Sequence, residues 1–265
     1  MDNAAIKPLG WREAGLALLV LAPLVALLLF IGPIPQDQSF HALADRRAFL
    51  GLPNFADVAS NLAFLAVGLA GLWSARNAGG ARRSWMVFFL GVTLVFFGSG
   101  YYHLEPDDQS LVWDRLPMTL AFMGLFAGLL AEHLPERTEL PLLAAALVTG
   151  VASVLLWTQT GDLRVYIWVQ GVALLAIPYV LAVYPGRYTH RIYLLHGLAI
   201  YGLAKAAELT DHQIFAMTSG MISGHTLKHL LAAGAAFCVY WMLKRRAPTT
   251  PAASLCDPSS GRRGT

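Results

Sequence analysis

Charge is scarce in this sequence. Of 265 residues only 13% are Asp, Glu, Lys or Arg, where a soluble domain carries about 25%. Cysteine is scarcer still. Cys238 lies in an apolar run and Cys256 in a polar tail, so no disulfide framework is implied. The alternating pattern of barrel strands is missing. So is a basic patch interleaved with aromatics, which a nucleic-acid partner would need despite the net charge of +3. These shortages exclude a soluble globule, a disordered chain, a stapled secreted domain, a membrane barrel and nucleic-acid binding. What is abundant is apolar: 56% of the residues, with a mean hydropathy of +0.54. The composition is that of an all-α polytopic membrane protein.

Eight apolar segments stand out, at 13–33, 55–76, 84–103, 115–134, 139–158, 164–185, 190–208 and 222–243. Each is close to the roughly 20 residues that carry a helix across the hydrocarbon core. Short polar connections separate most of them, so neighbours in sequence are expected to run antiparallel. The first segment follows Lys7 and Arg12 like a signal peptide. Its apolar run is longer than a signal core of about 7–15 residues, and Ala42-Leu43-Ala44 lies too far downstream for cleavage, so a retained helix is expected.

Basic residues set the expected orientation. One set of connections and ends holds Lys7, Arg12, Arg76, Arg82, Arg83, Arg137, Arg187, Arg191, Lys244, Arg245, Arg246, Arg262 and Arg263; the other holds Arg46, Arg47, Arg115 and Arg164. Thirteen against four puts both termini in the cytoplasm. The stretch from Ala247 to Thr265 is rich in Pro, Ser, Thr and Gly and reads as a disordered tail. Short loops and the lack of a targeting signal point to a bacterial inner membrane.

Ionisable groups within a membrane are costly, so each one is a functional hypothesis. The third segment ends Gly98-Ser99-Gly100-Tyr101-Tyr102-His103, which stacks Ser99 and His103 on one helical face. Asp114 opens the fourth segment. The last begins Ser223-Gly224-His225-Thr226-Leu227-Lys228-His229, with His225 and His229 one turn apart. Two imidazoles at that spacing can grip one cation, and a third ligand from another helix would leave a position open for water. The expected antiparallel order brings Ser99, His103, Asp114, His225 and His229 to one depth, near the outer surface. The remaining candidates read more simply: His41, His133, His190 and His212 as interfacial side chains, His196 as a bridge between helices, and Lys205 and Lys228 as snorkelling cations. Tyr101, Tyr102, Trp113 and Trp157 suit an aromatic belt.

The set Ser-x3-His at a helix end, Asp eleven residues after that His, and His-x3-His in the last helix resembles the signature of the alkaline ceramidase family. That family sits within the wider CREST group of membrane hydrolases, which also takes in adiponectin-receptor-like proteins. The pair Ser60-Asn61 is similar to the family's first core helix. The resemblance implies a seven-helix core over residues 55–243, preceded by an extra transmembrane helix within 1–54 and followed by the tail 244–265. It implies one catalytic Zn²⁺ on His103, His225 and His229. By the same resemblance Asp114 would move the proton of the attacking water and Ser99 would hydrogen-bond the oxyanion. The substrate would be a lipid from the bilayer, ceramide or a related N-acyl lipid. One departure is plain: the acidic, Trp-containing calcium segment of eukaryotic members is replaced by a stretch offering Asp45, Asn54 and Asp57, which counts against a Ca²⁺ site.

Three other readings are carried alongside. A metal-containing lipid receptor would share the signature without turnover. An intramembrane serine protease would pair Ser99 with His225, although Phe97 stands where a rhomboid-like Gly is expected. A bis-histidine haem protein is the third.

Overall fold

The computed structural model describes residues 10–249; Lys7, Cys256 and the tail from residue 250 lie outside them. Ten α-helices follow one another, with no strand among the described residues: α1 (Trp11–Phe30), α2 (Phe55–Ser60), α3 (Leu62–Ala75), α4 (Arg82–Leu104), α5 (Asp108–Ala131), α6 (Glu139–Thr160), α7 (Arg164–Val183), α8 (Ile192–Leu209), α9 (Asp211–Met217) and α10 (Gly224–Arg245). Among the described residues seven helical stretches are long and apolar enough to cross a membrane: α1, α2–α3 taken together, α4, α5, Glu136–Thr160, α7 and α10. This is the build of a helical integral membrane protein.

The apolar segments are legible, but their ends and continuity differ from expectation in three places. Segment 190–208 is the helix α8, yet it falls outside the seven, because His196, Lys205 and Glu208 dilute its apolar run. The short helix α9 that follows it gave no sequence signal. Segment 55–76 is interrupted at Asn61. There Ser60 Oγ and Asn61 Nδ2 both donate to the carbonyl of Asp57 (2.9 and 2.8 Å), and side chains that compete for the helical carbonyls disturb the ladder. Segment 115–134 starts a full two turns earlier, at Asp108, because Asp107 and Ser110 form a capping box: Asp107 accepts from the Ser110 amide at 2.6 Å and Ser110 Oγ accepts from the Asp107 amide at 3.1 Å. Asp114 therefore sits inside α5 rather than opening it. Arg115, counted among the connection charges, is likewise buried in α5, between the rings of Trp157 and Tyr166 at 3.9 and 4.7 Å.

The bundle is organised around α5, the most buried of the long helices, which packs against α4, α6 and α7. α10 packs against α8 and α3, and α3 against α4. α1 lies outside this set on α7, where Trp168 Nε1 donates to the Val20 carbonyl at 2.8 Å and the Tyr179 hydroxyl to the Arg12 carbonyl at 2.7 Å. None of the α1 side chains is buried, as befits a helix whose remaining faces meet lipid.

The α4–α5 seam fixes the site. A Cβ on Gly98 would stand 1.9 Å from the Trp113 carbonyl oxygen, so only glycine lets the two backbones come this close. The next residues along each chain are Ser99 and Asp114.

The linker between α1 and α2 crosses the end of the bundle where these residues lie. Ile34 accepts from the Leu163 amide at 2.8 Å, Ala44 donates to Asp211 Oδ2 at 3.0 Å, and Asn54 Nδ2 donates to the His103 carbonyl at 2.8 Å. His41 sits in it as a relay. Its Nε2 faces Asp108 Oδ1 at 3.1 Å and its Nδ1 faces the Tyr102 hydroxyl at 3.0 Å. Tyr102 is thus fully buried, as is Trp157, and neither belongs to a surface belt; Tyr101 and Trp113 are exposed, as an outward-facing belt requires.

Candidate metal centre

His103 comes from the last turn of α4, and His225 and His229 from the first two turns of α10. The three rings meet with centroids 4.7–4.9 Å apart. Their Nε2 atoms converge: His103 to His229 is 3.2 Å and His103 to His225 is 3.3 Å. All three residues are buried, at 3% exposure or less. They are the one cluster of potential metal ligands among the described residues.

The spacing tests whether an ion fits. A tetrahedral ion with M–N bonds of about 2.0–2.1 Å holds its nitrogens about 3.3 Å apart, which matches the two separations from His103, 3.2 and 3.3 Å. The tautomer of His229 points the same way. Ser60 Oγ donates to the Asp57 carbonyl at 2.9 Å, so across its 2.7 Å contact with His229 Nδ1 it must accept. Nδ1 then carries the proton and the Nε2 lone pair faces the centre, the second-layer arrangement usual for ligating histidine. Three imidazole nitrogens gathered this closely in a buried place suit a shared cation. His103 is less supported, since its Nδ1 is buried without a protein partner.

The start of α10 is held from three sides. Ser223 caps it, accepting from the Thr226 amide at 2.9 Å. Asp57 Oδ1 accepts from Thr226 Oγ1 at 2.5 Å and Ser223 Oγ at 3.2 Å, and Asp211 Oδ1 accepts from the His225 amide at 2.8 Å. Two carboxylates at a helix N-terminus favour its partial positive charge, and together they lock the first turn in which His225 sits. The Ser223 cap is legible in the sequence as a Ser before a helix. Asp57 and Asp211 are not, because nothing local tells that they reach α10.

Ser99 and Asp114 are both buried, at 1% and 5% exposure. With His229 they line a cavity of about 130 Å³ whose wall is otherwise largely apolar, including Phe64, Phe88, Val92, Met118 and Val239. From Ser99 to Phe88 along α4 is about 16 Å at 1.5 Å per residue, so the cavity runs deep into the bundle. Among the described residues no hydrogen bond joins Ser99 to His225, whose Nε2 is turned to His103, so the serine-protease pairing is not formed.

The three residues considered for calcium have separate partners. Asp45 takes Arg47 Nε at 2.8 Å and Nη2 at 2.6 Å, Asn54 binds the His103 carbonyl, and Asp57 holds α10. The guanidinium of Arg47 holds the Asp45 carboxyl below the usual carboxylate range. The other histidines stay apart from the centre: His212 faces the Ala42 carbonyl at 2.9 Å, His133 packs on Tyr184, and His190 and His196 pack on Tyr193.

Neither a protein-family model nor a curated protein matches the chain.

Proposed function

We propose that the protein is a zinc-dependent intramembrane amide hydrolase that cleaves ceramide or a related N-acyl lipid into a sphingoid base, or another lipid amine, and a fatty acid. The observation that carries this reading is the convergence of three histidine side chains, one of which, His229, lines a deep, largely apolar cavity together with Ser99 and Asp114. The cavity suits an acyl chain, and the polar groups at one end suit the amide that terminates it. His103, His225 and His229 would hold the ion. When bound, zinc lowers the pKa of a water to about 7 and polarises a carbonyl.

The chain's own groups do the rest. Asp114 accepts a proton from the attacking water and returns it to the leaving nitrogen as the C–N bond breaks. Ser99, one turn from His103, donates a hydrogen bond to the oxygen that gains charge. Their burial excludes bulk water and strengthens both interactions. In this reading Ile192–Leu209 is an eighth span, residues 55–243 are a seven-helix core, both termini lie in the cytoplasm of a bacterial inner membrane, and the site lies near the outer leaflet.

The test is elemental analysis of the purified protein together with release of fatty acid from ceramide and other N-acyl lipids. About one zinc per chain is expected, lost with His225→Ala/His229→Ala, and amide cleavage should disappear on chelation and return with zinc. Asp114→Asn should keep the metal and lose about 10²–10⁴-fold in rate. Ser99→Ala should keep the metal and lose up to about 10²–10³-fold. Fresh protein without zinc, or fully loaded protein that cleaves no N-acyl lipid, would overturn the reading.

A further inference from the structure

Beside the histidines the same cavity carries a second polar feature that the hydrolytic reading does not use. Lys228 precedes His229 on α10, and Lys205 and Glu208 lie one turn apart on α8; all three line the cavity. Glu208 is shared between two cations, with Lys228 Nζ 3.3 Å from Oε1 and Lys205 at Oε2. Among the described residues Glu208 is thus the one carboxylate in direct contact with either ammonium group. Asp114 lines the cavity too, but among the described residues it forms no ion pair with either lysine.

Lys228 is not placed to snorkel. Its side chain is 14% exposed and Glu208's is 11%, whereas Lys205, at 48%, reaches the surface. Among the described residues Lys228 has no ion-pair partner except Glu208 and no hydrogen-bond acceptor besides it. An ammonium carries three donors, and Glu208 can meet only part of them. A bundle needing only to join α8 to α10 would do so with one cation and one anion. Lys228, with donors to spare, lines the cavity.

We propose that Lys228, held in place by Glu208 and Lys205, is a carboxylate-recognition site, so that the lipid bound here carries a carboxylate beside its amide, as an N-acyl amino acid does. That the lipid is an amide rests on the hydrolytic reading; the carboxylate site rests on the lysines alone. A free fatty acid has the same group and is the other source of it.

The test is equilibrium binding to the metal-free full-length protein in neutral detergent, with no turnover required. N-palmitoylglycine, palmitate and N-palmitoylethanolamine are compared in wild type, Lys228→Met and Lys228→Arg. Lys228→Met leaves Glu208 paired with Lys205, so no buried charge is orphaned. The expected result is that N-palmitoylglycine binds about tenfold or more tightly than the ethanolamide, as a charge-assisted hydrogen bond implies. That preference should vanish in Lys228→Met and return in Lys228→Arg. Preference for palmitate alone would overturn the headgroup assignment and make this a fatty-acid site. Equal binding of all three lipids, no binding, or a preference untouched by Lys228→Met would overturn the carboxylate site itself. If the preference holds while zinc-loaded protein cleaves nothing, the hydrolytic reading fails and this one stands.

Discussion

Ser60 shows how much one hydroxyl can decide. Accepting from His229 Nδ1 while donating to the Asp57 carbonyl, it fixes which nitrogen of His229 offers its lone pair. Ser60→Ala should weaken metal binding about ten- to hundredfold, read by competition with a chromophoric chelator, while Ser60→Thr restores it; unchanged affinity in the alanine variant would remove the orienting role. Asp162 decides a different matter, the anchoring of the linker. It accepts from the Ile34 amide at 3.2 Å and pairs with Arg164 at 2.7 Å, and that partnership lowers its pKa to about 2. A carboxylate whose folded pKa lies below its unfolded value of about 3.9 stabilises fully above that value and loses its contribution as pH falls towards 2. The gap in thermal midpoint between wild type and Asp162→Asn should therefore be constant above pH 5 and close between pH 4 and 2. The candidate ligands are legible in the sequence because helical period alone puts His225 above His229 and Ser99 below His103. Asp57 and Asp211 are not, since their partners are fixed by packing between elements that no local pattern encodes.

At the scale of helices, the decisive feature is the close α4–α5 seam. Gly98→Ala places a methyl group into the Trp113 carbonyl, which must part the helices and separate Ser99 from Asp114. A loss of about 1–3 kcal/mol is expected, with a lower thermal midpoint in detergent, and turnover should fall even where the metal is retained. Asp107→Ala removes the α5 cap and should cost about 0.5–2 kcal/mol, fraying the turn that carries Asp108 and its contact with His41. Apolar runs locate the helices well, yet they misplace ends that polar caps extend. That is why the apolar run begins at 115 while α5 begins at Asp108: its first turns are polar and look like a loop. The break at Asn61 escaped for the related reason that a side chain competing for a carbonyl leaves hydropathy unchanged.

Over the whole molecule, the order of apolarity among the helices runs nearly opposite to the order of burial. α1 is the most apolar of the spans and has no buried side chain, whereas α5 is among the least apolar and is the most buried. The apolar count thus reports who faces lipid, and it could name the fold class without showing which helix lies at the centre. α5 also carries Asp114 and Arg115 in its interior. A segment with two such charges is poorly suited to leave the insertion machinery alone. Its predecessor is joined to it by the short connection Glu105–Asp107 and meets it through bare glycine backbone. The pair is therefore expected to enter the bilayer as a hairpin, and α5 to be held until α6 and α7 emerge to cover it. Changes along that seam should be felt first during biogenesis: Gly98→Ala is expected to lower the amount of chain recovered from the membrane fraction.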